Sequence, residues 1–486
     1  MSFRRLVIGL SFLAVFTMAV RVAVDTDTWW HLSAGSWLLE KGEILRTDPF
    51  SLTKQGEPWI YPGWLAQAVL YGVFDTFGFA GLNLLTAIMV VIAFAFIWPL
   101  LDAPPLMRAF VLILAATVSA VFWSARPQIF SFTLSAIFLW SLTQAEAGHP
   151  RRLWILPLLM VFWSNLHGGF AIGFLLIGAY LLGEIVEFLL DIRFRPPIKM
   201  EVERDRKEKI RNFVIIGLVC AVAICINPHG PQMLLYPFKT VSVGVLQAHI
   251  EEWQSPNFHR LEVQPFLWML MLSVVSLTLS RGRKRAVDLF IFIGFASLSL
   301  MAARNISTFA LVAAPILARE SYSVVKPLLE KQTPRPDFPE PIVRRVNIII
   351  FVVLVFAALI KIAIPLTDQV NRDAVAGHVP VEAVAYLDEH PEFGSLFNSY
   401  NWGGYVVWAL YPDYLSFVDG RTDLFGDEIL EGYLNAWRAG PGWEGYLDRW
   451  GIGVVLLEPG APLAIVLGHA GWELRYESEM AVVLTR

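Results

Sequence analysis

The stretch VRVAVDTDTWWHLSAGSWLLEKG, residues 20–42, decides how the chain is read. An apolar run ends in two carboxylates one residue apart, Asp25 and Asp27, followed by Trp29, Trp30 and His31. Upstream, MSFRRLVIGLSFLAVFTMAV has the basic start and apolar body of either a signal peptide or a membrane helix. Arg21 interrupts it and no small-x-small cleavage site follows, so it reads as a retained first span that delivers Asp25 to the far side. Beyond the acids, Trp30, Ala34, Trp37, Leu38 and Lys41 recur at helical spacing, which predicts an amphipathic helix lying at the membrane interface, where tryptophan is at home.

The rest of the chain supports a membrane setting. Of 486 residues, 56% are hydrophobic and only 16% charged, and mean hydropathy is +0.55. A soluble globular chain carries about a quarter charged residues. Segments approaching the roughly 20 apolar residues a span needs recur near 6–24, 83–101, 106–123, 128–145, 153–165, 169–190, 212–227, 264–280, 287–303, 305–318 and 346–365. The expected fold is therefore an α-helical polytopic membrane protein of about eleven transmembrane helices, residues 1–366, with a first outer loop at 25–82. Residues 367–486 alternate helix-patterned VEAVAYLDEHP and GDEILEGYLNAWRAG with strand-like SLFNS, YLSFVDG, IGVVLLE, WELRYES and MAVVLTR, which predicts a C-terminal extracytoplasmic α/β domain. Cys220 and Cys225 sit five apart in one apolar run and read as packing residues.

Basic residues set the orientation. With the N-terminus cytoplasmic, Arg4, Arg5, Arg108, Arg151, Arg152, the segment 193–211, RGRKR at 281–285, and Lys326, Lys331, Arg344 and Arg345 all fall inside. The polar clusters DTDTWWH (25–31), SARPQ (124–128), SNLHGG (164–169), NPHG (227–230), EEWQSP (251–256) and ARN (303–305) then all fall outside. Polar groups near membrane depth are costly unless paired or facing water, so clusters on one face mark a candidate site.

Two readings of Asp25 and Asp27 stay open. Asp27 caps the following helix while Asp25 is a solvated turn residue, or the pair is a base or a ligand of a hard cation such as Mg²⁺ or Mn²⁺. Arg126, His167, His229 and Arg304 stand at outer ends of spans, as snorkelling or helix-end residues or as an anion-binding set with His31. Glu252 and Trp253 add an acid and an aromatic; only one of Glu251 and Glu252 is expected to face inward. Asp48 before Pro49 reads as a turn residue, and Asp419 with Arg421 as an ion pair at a turn. There is no His–His zinc spacing and no Walker or Rossmann fingerprint, and no nucleic-acid partner is expected.

Together these motifs resemble the GT-C superfamily of integral-membrane glycosyltransferases, distantly similar to protein mannosyltransferases, aminoarabinose transferases and oligosaccharyltransferase catalytic subunits. The resemblance lies in DTDTWWHLSAGSWLLEKG and its loop, in SNLHGGF, NPHG and EEWQSP, and in YNWGGYVVWALYPDYLSFVDGR, which is similar in style to a WWDYG segment. It implies a polyprenyl-phosphate-linked sugar donor, a glycan, lipid or protein acceptor at the cell membrane, and a first-loop carboxylate, Asp25 or Asp27, acting as base or metal ligand. Arg126 stands where a second acidic motif would be, and WGGY lacks the acid of WWDYG, which together imply a metal-independent mechanism with a basic phosphate clamp. Competing expectations are a transporter or flippase of a lipid-linked or anionic solute, and a non-catalytic envelope-assembly partner.

Overall fold

The computed structural model describes residues 1–194, 200–330 and 339–486. Lys331 and part of the basic segment 193–211 lie outside the described residues. In chain order the helices begin α1 (Phe3–Ala19), α2 (Thr28–Lys41), α3 (Trp64–Ile97), α4 (Pro105–Ser119), α5 (Gln128–Glu146), α6 (Ile155–Leu166), α7 (Ala171–Phe194) and α8 (Met200–Ala223). There follow short α9 (Tyr236–Val241) and α10 (Gly244–His249), then α11 (Gln264–Leu279), α12 (Ala286–Met301), α13 (Ile306–Leu329) and α14 (Glu340–Ala363). Each of the expected apolar segments overlaps one of these helices. Four helical stretches among the described residues are long and apolar enough to cross a bilayer: Trp64–Leu100, Pro105–Phe122, Gly168–Phe194 and Glu340–Leu366.

Two boundaries differ from expectation. The helix read from WLAQAVLYGVF and the span read at 83–101 form one run, α3, broken only at Gly78, whose φ of 59° suits glycine and ends regular helix. The loop between α1 and α3 thus ends at Gly63, because the apolar pattern continues through the break. The second difference concerns α2. Trp29 and Trp30 are 6% and 5% exposed, so they are core residues and not interfacial anchors. Trp29 packs in an edge-to-face pair with Tyr405, their centroids 5.0 Å apart.

Tyr405 belongs to the C-terminal region, which covers α2. This region comprises α15 (Asp368–Ala376), α16 (Val381–Asp388), β1 (Ser395–Asn398), α17 (Gly403–Leu410), α18 (Thr422–Trp437), α19 (Trp443–Arg449), β2 (Ile452–Leu457), α20 (Pro462–His469), β3 (Glu473–Glu477) and β4 (Val482–Thr485). Its sheet runs β1-β2-β4-β3, with β1 and β2 parallel and the other pairs antiparallel. The run LSFV is not a ladder strand: Ser416 makes a single bridge to Ser51, and the segment is otherwise a turn. One apolar cluster joins Trp29, Leu32 and Leu70 to Trp402, Val406 and Val454, so the outer loop and the C-terminal region share a core.

The joint is also polar. Arg421, buried with Asp419 and Asp48, lies 2.6 Å from Asp419 Oδ2 and 2.5 Å from Asp48 Oδ1, and all three side chains are fully buried. Asp48 is therefore more than a turn residue. Its Oδ1 also accepts the Phe50 N–H while it anchors a cation contributed from 373 residues away.

Candidate active site

At one end of the bundle the chain brings together residues from five loops. α1 ends at Ala19, and an extended segment carries Asp25 and Asp27 to the start of α2. Asp25 Oδ1 accepts the backbone N–H of Asp27 at 3.1 Å, the local turn an Asp favours. Asp27 occupies the cap position of α2, yet its side chain makes no capping hydrogen bond. The capping role expected of Asp27 is thus not taken up, and its carboxylate points elsewhere.

It points at Arg126. The Arg126 guanidinium approaches Asp25 Oδ2 with Nε at 2.9 Å, Asp27 Oδ2 with Nη1 at 2.5 Å and Glu252 Oε2 with Nη2 at 3.2 Å. All three faces of one planar fork meet a carboxylate, the geometry for which arginine is suited and lysine is not. Arg304 stands 3.6 Å from Glu252 Oε1 and lies over the Trp253 ring at 4.2 Å. Glu251 turns away and pairs with Arg260, so one acid of the pair faces the site. Asp25, Asp27, Arg126, Glu252 and Arg304 keep 13–28% of their side-chain exposure.

The other expected residues divide. His31 is 3% exposed on α2, with its ring against Trp30 and Tyr61 and Nδ1 3.4 Å from Gln67 Nε2. His167, at the turn between α6 and α7, adjoins the charged cluster and bonds Ser131 on α5 at 2.7 Å. His229 does not join: its Nε2 meets the Tyr61 carbonyl at 3.3 Å, because NPHG folds back on the first loop. The C-terminal region supplies a residue that sequence reading missed. Gly420 lies so close beneath Asp27 that a Cβ there would fall 1.8 Å from Asp27 Oδ1. No local signal marks that contact, which joins positions far apart in the chain.

Burial and charge fix the protonation states. Desolvation, assisted by Asp25 and Glu252 and opposed by Arg126, raises Asp27 to about 6. For Glu252 burial also raises the carboxyl, but Arg304 and Arg126 outweigh it and hold it below the usual range. Burial lowers His31 well below its usual value, with Arg126 and His167 adding to the effect. His167 is lowered to about 3 by burial, then by Arg304 and Arg126, with Glu252 opposing. Both histidines are neutral at physiological pH, so the cation set expected from sequence reduces to two arginines.

The divalent ion expected on Asp25 and Asp27 does not fit this arrangement. Among the described residues no group of three His, Cys, Asp or Glu is placed to hold a metal. The oxygens that would face an ion already face Arg126, which occupies the centre of the acids. A cavity of about 600 Å³ lies at the opposite end of the bundle among Glu184, Glu187, Arg206, Arg283 and Arg285. Its charged lining is paired, with Arg206 2.6 Å from Glu184, and it welds α7 to α8 and α12.

The helical bundle with its covering α/β region is similar in fold to solved membrane-protein structures. The archaeal oligosaccharyltransferase AglB from Archaeoglobus fulgidus, solved with an inhibitory peptide and a dolichol-phosphate, is similar with a TM-score of 0.60 and 11% identity over 94% of this chain and 70% of its own. ArnT from Cupriavidus metallidurans bound to undecaprenyl phosphate is similar with a TM-score of 0.54 and 14% identity over 99% of this chain and 97% of its own. The sequence matches no family model and no curated protein.

Proposed function

We propose that the protein is a membrane glycosyltransferase that moves a sugar from a polyprenyl-phosphate-linked donor to an extracytoplasmic acceptor, a cell-envelope glycan, lipid or protein. The observation that carries the reading is the convergence of Asp25, Asp27 and Glu252 on Arg126 beside Arg304, in a chain similar in fold to AglB and ArnT. In this reading residues 1–366 cross the plasma membrane eleven times with the N-terminus cytoplasmic, and residues 367–486 form an outer domain that roofs the site. A donor with a polyprenyl tail is soluble only in the bilayer and its phosphosugar head belongs at the interface, so a site at the ends of the spans serves both.

Asp27 is the base. Its capping capacity is unused and its carboxyl is raised to about 6, near the operating pH at which a base works best. It takes the proton from the acceptor hydroxyl as that oxygen bonds the anomeric carbon. The bond from that carbon to the phosphate oxygen breaks, and the phosphate leaves on its lipid. Arg126 is committed to three acids and sets their geometry. Arg304 has five N–H donors and, among the described residues, one carboxylate in ion-pair range, and it meets the charge developing on the phosphate. Trp253 steadies the guanidinium, and no step needs a metal ion.

The test is sugar transfer from a short-chain polyprenyl phosphosugar by purified Asp27→Asn and Asp25→Asn. Loss of a general base lowers the rate by about 10²–10⁴-fold, and the reading expects that of Asp27→Asn, with a smaller loss for Asp25→Asn. Unaltered transfer by both variants would remove the first-loop carboxylates as base, and no transfer by the wild-type protein would remove the enzyme reading.

A further inference from the structure

The hydrogen bonds around His167 determine which of its nitrogens carries the proton. The Trp163 indole N–H, fully buried on α6, donates to Ser131 Oγ at 2.6 Å. An indole nitrogen is only ever a donor, so the Ser131 oxygen is accepting there and its own hydrogen is directed elsewhere. Its other partner is His167 Nδ1, at 2.7 Å. The Gly169 backbone N–H points at the same Nδ1, at 3.1 Å. A backbone N–H cannot accept, so Nδ1 receives two donors and carries no proton. In a neutral imidazole the proton is then on Nε2.

We propose that Ser131 and Trp163 are positioning residues that hold His167 as the neutral Nε2–H tautomer, which donates a hydrogen bond to the phosphate of the lipid-linked donor. The proposal rests on the function argued above. It narrows the role expected for this histidine, from one member of an anion-binding set to a fixed neutral donor. The charged groups that act electrostatically on the ring are Arg304 from the turn before α13, Arg126 from the turn before α5 and Glu252 from the loop before α11, and the ring in turn acts on His31 of α2. Two arginines against one glutamate disfavour an imidazolium, in accord with the hydrogen-bond pattern. A neutral donor costs no proton transfer and keeps its bond as the phosphate gains charge.

The experiment uses the full chain labelled with ¹⁵N-histidine. Of nine histidines, the signal lost in His167→Gln is that of His167. The expected signal is a neutral ring protonated on Nε2, unchanged from about pH 5 to 8, the range in which an ordinary histidine titrates. Ser131→Ala, which removes one donor to Nδ1, shifts it toward the Nδ1–H form. In transfer assays His167→Ala loses about 10²–10³-fold in kcat, the usual loss for one such donor. His167→Gln, whose amide donates from a similar place, recovers at least tenfold of that. A ring protonated on Nδ1, an imidazolium at pH 6, or Gln no better than Ala overturns the proposal. A wild-type protein that transfers from no polyprenyl phosphosugar overturns the proposed function and the phosphate contact with it, while the ¹⁵N signal still decides the tautomer.

Discussion

Asp27 and Arg126 meet at 2.5 Å with two more acids on the same guanidinium, and this sets how the protein responds to pH. A carboxyl raised to about 6 is mostly protonated below that value and ionised above it. Because the base acts in its ionised form, kcat/KM rises with pH up to about 6 and then levels. His167, lowered to about 3, adds no second limb near neutrality. A pH profile of transfer measures this, and a rate that falls across the interval from about 5 to 7 contradicts it. Arg126→Ala leaves three carboxylates facing one another and is expected to lose transfer by at least the 10²-fold typical of a lost electrostatic partner. These charged residues were legible because each is rare in an apolar chain and stands at a span end. Ser131 and Trp163 were not, since serine and tryptophan inside an apolar helix look like packing until their bonds are seen.

Between elements, the decisive contact is the turn Asp419-Gly420-Arg421 against the first loop. Arg421→Met would leave Asp48 and Asp419 buried without their cation, which costs about 3–5 kcal/mol. Thermal unfolding in detergent should show a lowered transition, and an unchanged one would mean the triad holds nothing together. Gly420→Ala acts differently. Its Cβ would fall 1.8 Å from Asp27 Oδ1, so the carboxylate must move, and a displacement of about 1 Å at a reacting group costs on the order of 10²-fold in rate. Unfolding is expected to stay near wild type while kcat falls, and full activity would show that Asp27 is not held from beneath. Helix positions were readable from the length of the apolar runs, and β2 and β4 from short, nearly continuous apolar runs. LSFV misled because its Phe417 and Val418 are core residues of a turn, and a short apolar run looks alike in both settings. The Asp48–Arg421 pair was invisible because nothing local links positions 373 apart.

Across the molecule the two ends of the bundle differ in kind. One gathers Asp25, Asp27, Arg126, Glu252 and Arg304. The other carries the ion-pair network in which Arg206 meets Glu184, Lys284 meets Glu320 and Arg319 meets Asp288. In the orientation proposed above, the second end faces the cytoplasm. In a Cys225→Ser background, Asp368→Cys should react with a membrane-impermeant maleimide on intact cells and Arg211→Cys only after permeabilisation; the reverse pattern would invert the topology. The segregation of the two charge sets was readable from the chain once spans were assigned, because each polar cluster interrupts an apolar run.

The proposed role of the acid–arginine cluster is to receive the head group of a lipid-linked sugar. Native mass spectrometry of the protein purified from its own membranes tests this most directly. Wild-type protein is expected to carry a bound polyprenyl phosphate or phosphosugar, with the adduct sharply reduced in Arg304→Ala. Bulk phospholipid alone, or a polyprenyl adduct that Arg304→Ala leaves undiminished, would contradict it.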